Sequence, residues 1–225
     1  FIVLAQDESV VSYSPSVTGT VTSYGVSPAF PTGITLDTNT GVISGTPSTS
    51  QSETVHTVTA TNNAGSTTFD ITATVFDAFL INSTGDSDDA SAGDGSCETS
   101  TPGECTLRAA INESDALAGT QTIVIPANTT ITLGSLIEME SDIDIVGEDR
   151  NSVIISGNSS SQIFVSTYTS GITATTNSFI RMTLQDASSS DVGGAIKKIG
   201  GDLTIQYVTF SNNAVTDATS SGGAV

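Results

Sequence analysis

The sequence predicts an all-β chain of two units, a β-sandwich followed by a solenoid of short stacked strands, with a single helix near the start of the second unit. Three observations carry that prediction. Thr, Ser, Gly, Val and Ile dominate a composition in which only 13% of residues are charged and 36% hydrophobic, a balance that favours strands and turns. The first third alternates with period two in several short runs. The remainder is a series of short apolar runs separated by Gly, Asn and Asp. At 225 residues the chain is long enough for two cores, and the change of pattern at Asp77 and Ala78 divides it into residues 1–77 and 78–225.

In the first unit strands are expected at Val17 to Val21, Gly33 to Leu36, Gly41 to Ile43, Thr54 to Ala60 and Thr67 to Val75. Val55, Thr57 and Thr59 alternate with His56, Val58 and Ala60, and Phe69, Ile71, Ala73 and Val75 alternate with Asp70, Thr72 and Thr74, so each run has two distinct faces. Asp37-Thr38-Asn39-Thr40-Gly41 and Asn62-Asn63-Ala64-Gly65 supply turn residues that tolerate positive φ. Several short two-faced strands with such turns read as a sandwich. The strings Pro31-Thr32-Gly33-Ile34-Thr35-Leu36-Asp37-Thr38-Asn39-Thr40-Gly41-Val42-Ile43-Ser44-Gly45-Thr46-Pro47 and Val58-Thr59-Ala60-Thr61-Asn62-Asn63-Ala64-Gly65-Ser66 resemble the immunoglobulin-like (cadherin-like) repeats of bacterial surface proteins. That resemblance covers most of residues 10 to 76 and implies a stalk or adhesion module without chemistry of its own.

In the second unit Phe79-Leu80-Ile81-Asn82 reads as a strand, followed by a loop dense in Gly, Asp and Ser up to Gly95. The helix begins at the candidate N-cap Thr106, presents Leu107, Ala110, Ile111, Ser114 and Leu117 on one face, and stops at Gly119. Beyond it strands are expected at Thr122 to Ile125, Thr130 to Leu133, Ile143 to Val146, Val153 to Ile155, Ile163 to Val165, Ile180 to Leu184 and Leu203 to Phe210, the self-similar rungs of a solenoid. Phe79 to Asn82, Gly95-Ser96-Cys97 and Cys105-Thr106-Leu107-Arg108-Ala109-Ala110-Ile111 are similar to the start of secreted right-handed parallel β-helix proteins, in which the helix caps the open end. Gly193-Gly194-Ala195-Ile196, Phe210-Ser211-Asn212-Asn213 and Gly222-Gly223-Ala224-Val225 resemble repeats of polymorphic outer-membrane proteins and related adhesins. The full expectation is therefore an immunoglobulin-like β-sandwich plus the N-terminal part of a right-handed parallel β-helix with one capping α-helix. Paired glycines fit tight corners where backbones approach, while the asparagines fit either a stacked ladder or solvent-exposed turns. The start without Met suggests a processed form or a piece of a longer chain, and the repeat grammar running to Val225 suggests continuation.

Twenty-four acidic residues against five Lys plus Arg give a net charge of −19. This argues against nucleic acid and against anionic lipid, and no run is long enough to enter a membrane as a helix. The electrostatics permit calcium. Asp86, Asp88, Asp89 and Asp94 in the glycine-rich loop are its candidate ligands, with a plainly charged loop as the alternative. Cys97 and Cys105, separated by Glu98-Thr99-Ser100-Thr101-Pro102-Gly103-Glu104, read as a disulfide in an oxidising compartment, with two unpaired thiols as the alternative. The apolar Phe1, Ile2, Val3 and Leu4 must pair somewhere. Within one chain they complete a sheet edge, and between chains they donate a strand and build a filament.

Glycoside hydrolysis would need paired carboxylates. Asp142, Asp144, Glu148, Asp149, Asp186 and Asp191 are the glycosidase candidates, but Asp142 and Asp144 lie opposite the core face taken by Ile143 and Ile145. A lyase would draw on Arg150, Arg181, Lys197 and Lys198. The single histidine, His56, has no nucleophile motif around it and reads as a surface or cross-strand residue. No lysine occurs in residues 1–78, which excludes a Lys-Asn isopeptide there, while a Thr-Gln ester involving Gln51 stays conceivable without support. The expected function is a non-enzymatic extracellular or cell-surface module that is structural, adhesive or filament-forming and engages carbohydrate, protein or itself. The alternative is part of a polysaccharide-active lyase or hydrolase.

Overall fold

The computed structural model describes residues 2–6, 10–167, 175–190 and 192–216, which form two compact units, 1–78 and 79–225. Phe1, Asp191 and Gly222 to Val225 lie outside the described residues. Among the described residues strands dominate, and the one α-helix is short.

The first unit contains β1 (Ile2–Ala5), β2 (Val10–Tyr13), β3 (Ser23–Ser27), β4 (Ile34–Leu36), β5 (Ile43–Gly45), β6 (Gln51–Asn62) and β7 (Gly65–Phe76). One sheet runs β1-β7-β6-β3 and the other β2-β5-β4. The long β6–β7 hairpin follows from its turn, where the Asn62 side chain accepts from Ala64 N–H at 2.8 Å and Asn62 pairs with Gly65. At the second predicted turn Asp37 Oδ1 accepts from the N–H groups of Asn39 and Thr40 at 2.8 and 2.9 Å. Those donors, Thr40 first, hold the Asp37 carboxyl below its usual range. Ile2, Leu4, Ile34, Ile43, Ala73 and Val75 form the core between the sheets. Val17 to Val21 is not a strand. The strand expected there is β3, whose Tyr24 and Val26 face one way and pair with Ala60 and Val58. Ile2, Val3 and Leu4 lie within their own unit, parallel to β7 opposite Ala73, Thr74 and Val75, and are buried.

The second unit contains β8 (Phe79–Leu80), α1 (Leu107–Ala116), β9 (Gln121–Ile125), β10 (Thr130–Thr132), β11 (Ile137–Glu138), β12 (Ile143–Gly147), β13 (Ile154–Ser156), β14 (Phe164–Thr167), β15 (Asn177–Gln185), β16 (Ser188–Ser189), β17 (Ile196–Ile199), β18 (Leu203–Ser211) and β19 (Ala214–Val215). Every strand pair in it is parallel. Along one row the pairs step by 22 residues (121 to 143), 34 (143 to 177) and 26 (177 to 203). Along another they step by 27 (137 to 164) and 32 (164 to 196). On the core face residues one step apart stack in apolar columns: Ile123, Ile145 and Phe179 form one, and Ile131, Ile155 and Leu184 another. The Phe164 and Phe179 rings meet at 4.8 Å.

Close backbone approach explains the glycines at corners. A Cβ on Gly147 would lie 2.1 Å from the Arg181 carbonyl oxygen, and one on Gly193 would lie 2.2 Å from that of Ile196. Of the paired asparagines, Asn212 is an exposed turn residue, whereas Asn213 is half-buried. Asn213 donates to Leu184 O at 2.9 Å and accepts from Ala187 N–H at 3.0 Å, so it fastens one corner to the strand segment beside it. Asn158, Asp186 and Asn212 adopt positive φ, which short polar side chains tolerate.

Candidate functional site

Three places gather functional groups, and each follows from local sequence. The first lies in the sandwich. β6 and β7 are twelve residues long, whereas the facing strands have three or four, so the apolar row of β7 outruns its cover. Phe69 is 71% exposed at the uncovered end. It helps line a groove of about 560 Å³ with Tyr13, Pro15, Val17, Tyr24 and Ile71. Open apolar concavities lined by aromatic rings suit a sugar face or an apolar peptide side chain. His56 lies on the same face of β6 as the groove residues Val58 and Ala60, toward the covered end, paired across strands with Ile71 and fully buried. Of the expected surface or cross-strand placement, the cross-strand one holds and the surface one fails, because Nδ1 lies 3.1 Å from Pro28 O, Nε2 lies 3.2 Å from the Gln51 amide, and the ring packs 4.8 Å from Phe30. The same contact occupies the Gln51 side chain.

The second place is the Asp-rich loop and α1. The expected helix forms: Thr106 accepts from Ala109 N–H at 3.0 Å as N-cap, and Leu107, Ala110 and Ile111 join the core. Cys97 and Cys105 form a disulfide with a Cα–Cα distance of 5.2 Å. Asp86 pairs with Arg108 at 2.9 Å and accepts from Gly134 N–H at 2.7 Å. Asp89 accepts from the N–H groups of Ser91 and Glu98, and Asp94 from that of Ser96. Asp88 is exposed. Asp86, Asp89 and Asp94 thus serve separate local purposes, and among the described residues no group of three or more His, Cys, Asp or Glu is arranged to hold a metal ion.

Sequence reasoning missed the loop's main fastener. Glu113 is fully buried on α1 and accepts from the N–H groups of both Gly93 and Gly95 at 2.5 Å. Its only sequence signal is a carboxylate next to the apolar helical face. Nearby, Asp88, Asp89, Asp115, Glu138 and Glu140 line an open groove of about 810 Å³ containing Arg108 as its cation. Burial pushes the Asp115 carboxyl above its usual range, against the opposing hydrogen bonds of Ser141 and of the Glu140 N–H.

The third place is the side-chain cluster around Lys198, where Ser166, Thr175 and Asn177 surround its ammonium. The other catalytic candidates are dispersed. Asp142 accepts from Thr176 N–H, Asp144 from the Ser178 hydroxyl, Glu148 from Ala127 N–H, and Asp149 from Asn151 N–H and the Ser152 hydroxyl. Asp186 accepts from the Asn212 amide at 3.3 Å. Burial also raises Glu148. Arg150 is exposed, Arg181 occupies a corner at positive φ, and Lys197 stacks on Val165. None of these cations joins the carboxylates in a common centre with Lys198.

Among known proteins, the family model described as Putative Ig domain matches residues 2–76. No curated protein and no solved structure matches the chain. Residues 2–76 are therefore an immunoglobulin-like domain, and the two-sheet geometry agrees. Among the described residues no helix is long and apolar enough to cross a membrane.

Proposed function

We propose that this chain is a non-enzymatic extracellular surface module in which the immunoglobulin-like unit binds a carbohydrate or protein ligand. The parallel unit, in this reading, consists of coils of a right-handed parallel β-helix that present the binding unit on a rigid support. The observation that carries the proposal is the groove under the overhanging β6–β7 hairpin, where Phe69 holds a large apolar face in water at a hydration cost that ligand contact would remove. The immunoglobulin-like match supports a surface or adhesion role. Separate hydrogen-bond duties for Asp142, Asp144, Glu148, Asp149 and Asp186 support a non-catalytic role, since hydrolysis needs two carboxylates facing one bond.

The test uses the whole chain and its Phe69→Ser variant against immobilised acidic and neutral polysaccharides and extracellular-matrix proteins, with parallel assays for released sugar ends. Binding should weaken roughly 10- to 100-fold in the variant, as expected for losing one buried Phe contact, and no sugar should be released. Equal binding by both proteins removes the groove from the mechanism. Glycan turnover that disappears on Asp142→Asn or Asp144→Asn replaces the proposal with a polysaccharide-active enzyme.

A further inference from the structure

The cluster around Lys198 lies apart from the binding reading above and has its own chemistry. Lys198 is on β17, directly opposite Ser166 of β14, and Asn177 opens β15. The Lys198 Nζ is 2.6 Å from Asn177 Oδ1, 2.6 Å from Thr175 Oγ1, 2.7 Å from Thr175 O and 3.0 Å from Ser166 Oγ. An ammonium has three protons, so four oxygens compete for them. Asn177 is 1% exposed and Ser166 is 3% exposed. The Asn177 carboxamide is held at both ends. Its Nδ2 donates to Ser141 O at 3.0 Å, and its Oδ1 accepts from Ser166 Oγ at 3.0 Å and from Thr175 Oγ1 at 3.4 Å. A carbonyl bond is about 1.2 Å long, so the carboxamide carbon lies within about 3.8 Å of Nζ, close to the roughly 3–3.5 Å separation of a near-attack pair.

We propose that Lys198 and Asn177 form an intramolecular amide cross-link, with Nζ as nucleophile and the Asn177 side-chain carbon as acceptor. The ammonium first yields one proton to water. Neutral Nζ then forms a bond to the carboxamide carbon, the oxygen takes up negative charge, and the carbon–Nδ2 bond breaks as that oxygen regains its double bond. The proton shed by Nζ leaves with Nδ2 as ammonia, so no oxidant or second substrate is consumed. Ser166 Oγ, in hydrogen-bond reach of both Nζ and Oδ1, takes this proton from Nζ and passes its own to the charged oxygen, and water carries it on to Nδ2 as the carbon–Nδ2 bond breaks. Ser166 and Thr175 hydroxyls also stabilise the charged oxygen, which is the task of an oxyanion hole. Desolvation of Lys198 lowers its affinity for a proton, against the opposing charges of Asp142 and Asp202, and so favours the reactive amine. The product joins the start of β15 to β17 and removes a half-buried charge.

The direct readout is the intact mass of the purified, folded chain after reduction of its disulfide. The expected mass is about 17 Da below that of the sequence, the loss of one ammonia. Proteolytic digestion should then release one branched peptide that contains both Asn177 and Lys198. Lys198→Arg keeps the charge without the nucleophile and should restore the full mass, as should Asn177→Ala. A wild-type chain at full mass after prolonged incubation overturns the proposal and leaves a plain ammonium among oxygens. A deficit that persists in Lys198→Arg, or maps to another residue pair, overturns it equally. The decisive wild-type reading does not depend on either variant folding.

Discussion

Replacing Glu113 with Gln tests whether one buried carboxylate organises the Asp-rich loop. The wild-type side chain accepts from two N–H groups, those of Gly93 and Gly95, one on each oxygen. Glutamine keeps one acceptor oxygen and turns an NH2 toward the other N–H, so one charge-assisted bond is lost and two donors face each other. A hydrogen bond to a charged group is worth about 1.5–3 kcal/mol, and an unsatisfied buried donor costs about 1–3 kcal/mol. These overlap because they describe the same N–H, so the expected destabilisation is about 2–4 kcal/mol. If the loop opens locally, each 1.4 kcal/mol is tenfold in the opening equilibrium, and exchange at the affected glycine amides should accelerate roughly 30- to 700-fold. Amide exchange followed by NMR reads Gly93 and Gly95 individually, with Ile123 and Ile145 in the buried strands as internal references. Glu113→Ala should accelerate both glycines. Unchanged exchange at both in Glu113→Gln, with the variant folded, would refute the reasoning.

The Cys97–Cys105 bond closes a ring of nine residues, for which loop entropy predicts about 2.5 kcal/mol. Reduction should lower the urea midpoint of the second unit and speed exchange in the loop. Free thiols detected by alkylation without reductant would show the bond to be absent in solution. Asp115 has a folded pKa raised above 3.8, chiefly by burial, so the native state binds the extra proton. Stability should fall as pH rises through the window between 3.8 and the raised value, the reverse of a paired carboxylate. Asp115→Asn retains an Oδ1 acceptor for Ser141 and Glu140, and its melting temperature should decline less across that window. An identical pH dependence in both proteins contradicts this assignment.

What was legible in the sequence was local. The helix carried its own N-cap in Thr106 and an apolar face at Leu107, Ala110 and Ile111, but it ends at Ala116 with Leu117 as an extended C-cap, before the expected stop at Gly119. The β6–β7 hairpin carried its turn in Asn62 to Gly65. By contrast β11, β16 and β19 are two residues each, too short for periodicity to register, and exist because a neighbouring strand offers ladder partners. The misplaced first strand has the same origin. Val17 to Val21 looks apolar, but Gly19 takes positive φ and Val17 is spent on the groove, while β3 hides among Ser and Gly residues. His56 could not be placed by pattern because its burial depends on Pro28 O and Gln51, partners that only the folded chain brings together.

The acidic residues make the same point about function. A net charge of −19 invites a search for a cation, and a loop with four aspartates offers a place to look. Yet an aspartate in a Gly- and Ser-rich loop meets many backbone N–H groups before it meets a cation, and each short N–H contact satisfies a donor that would otherwise need water. Asp89 and Asp94 are used this way, Asp86 is committed to Arg108 and Gly134, and the buried Glu113 binds two N–H groups at once. Asp89 and Asp94 thus serve the loop's own backbone, and Asp86 ties the loop to Arg108 and Gly134. The uncovered Phe69 has no such explanation within its unit, since its apolar row continues past the facing strands and gains nothing there until something else covers it.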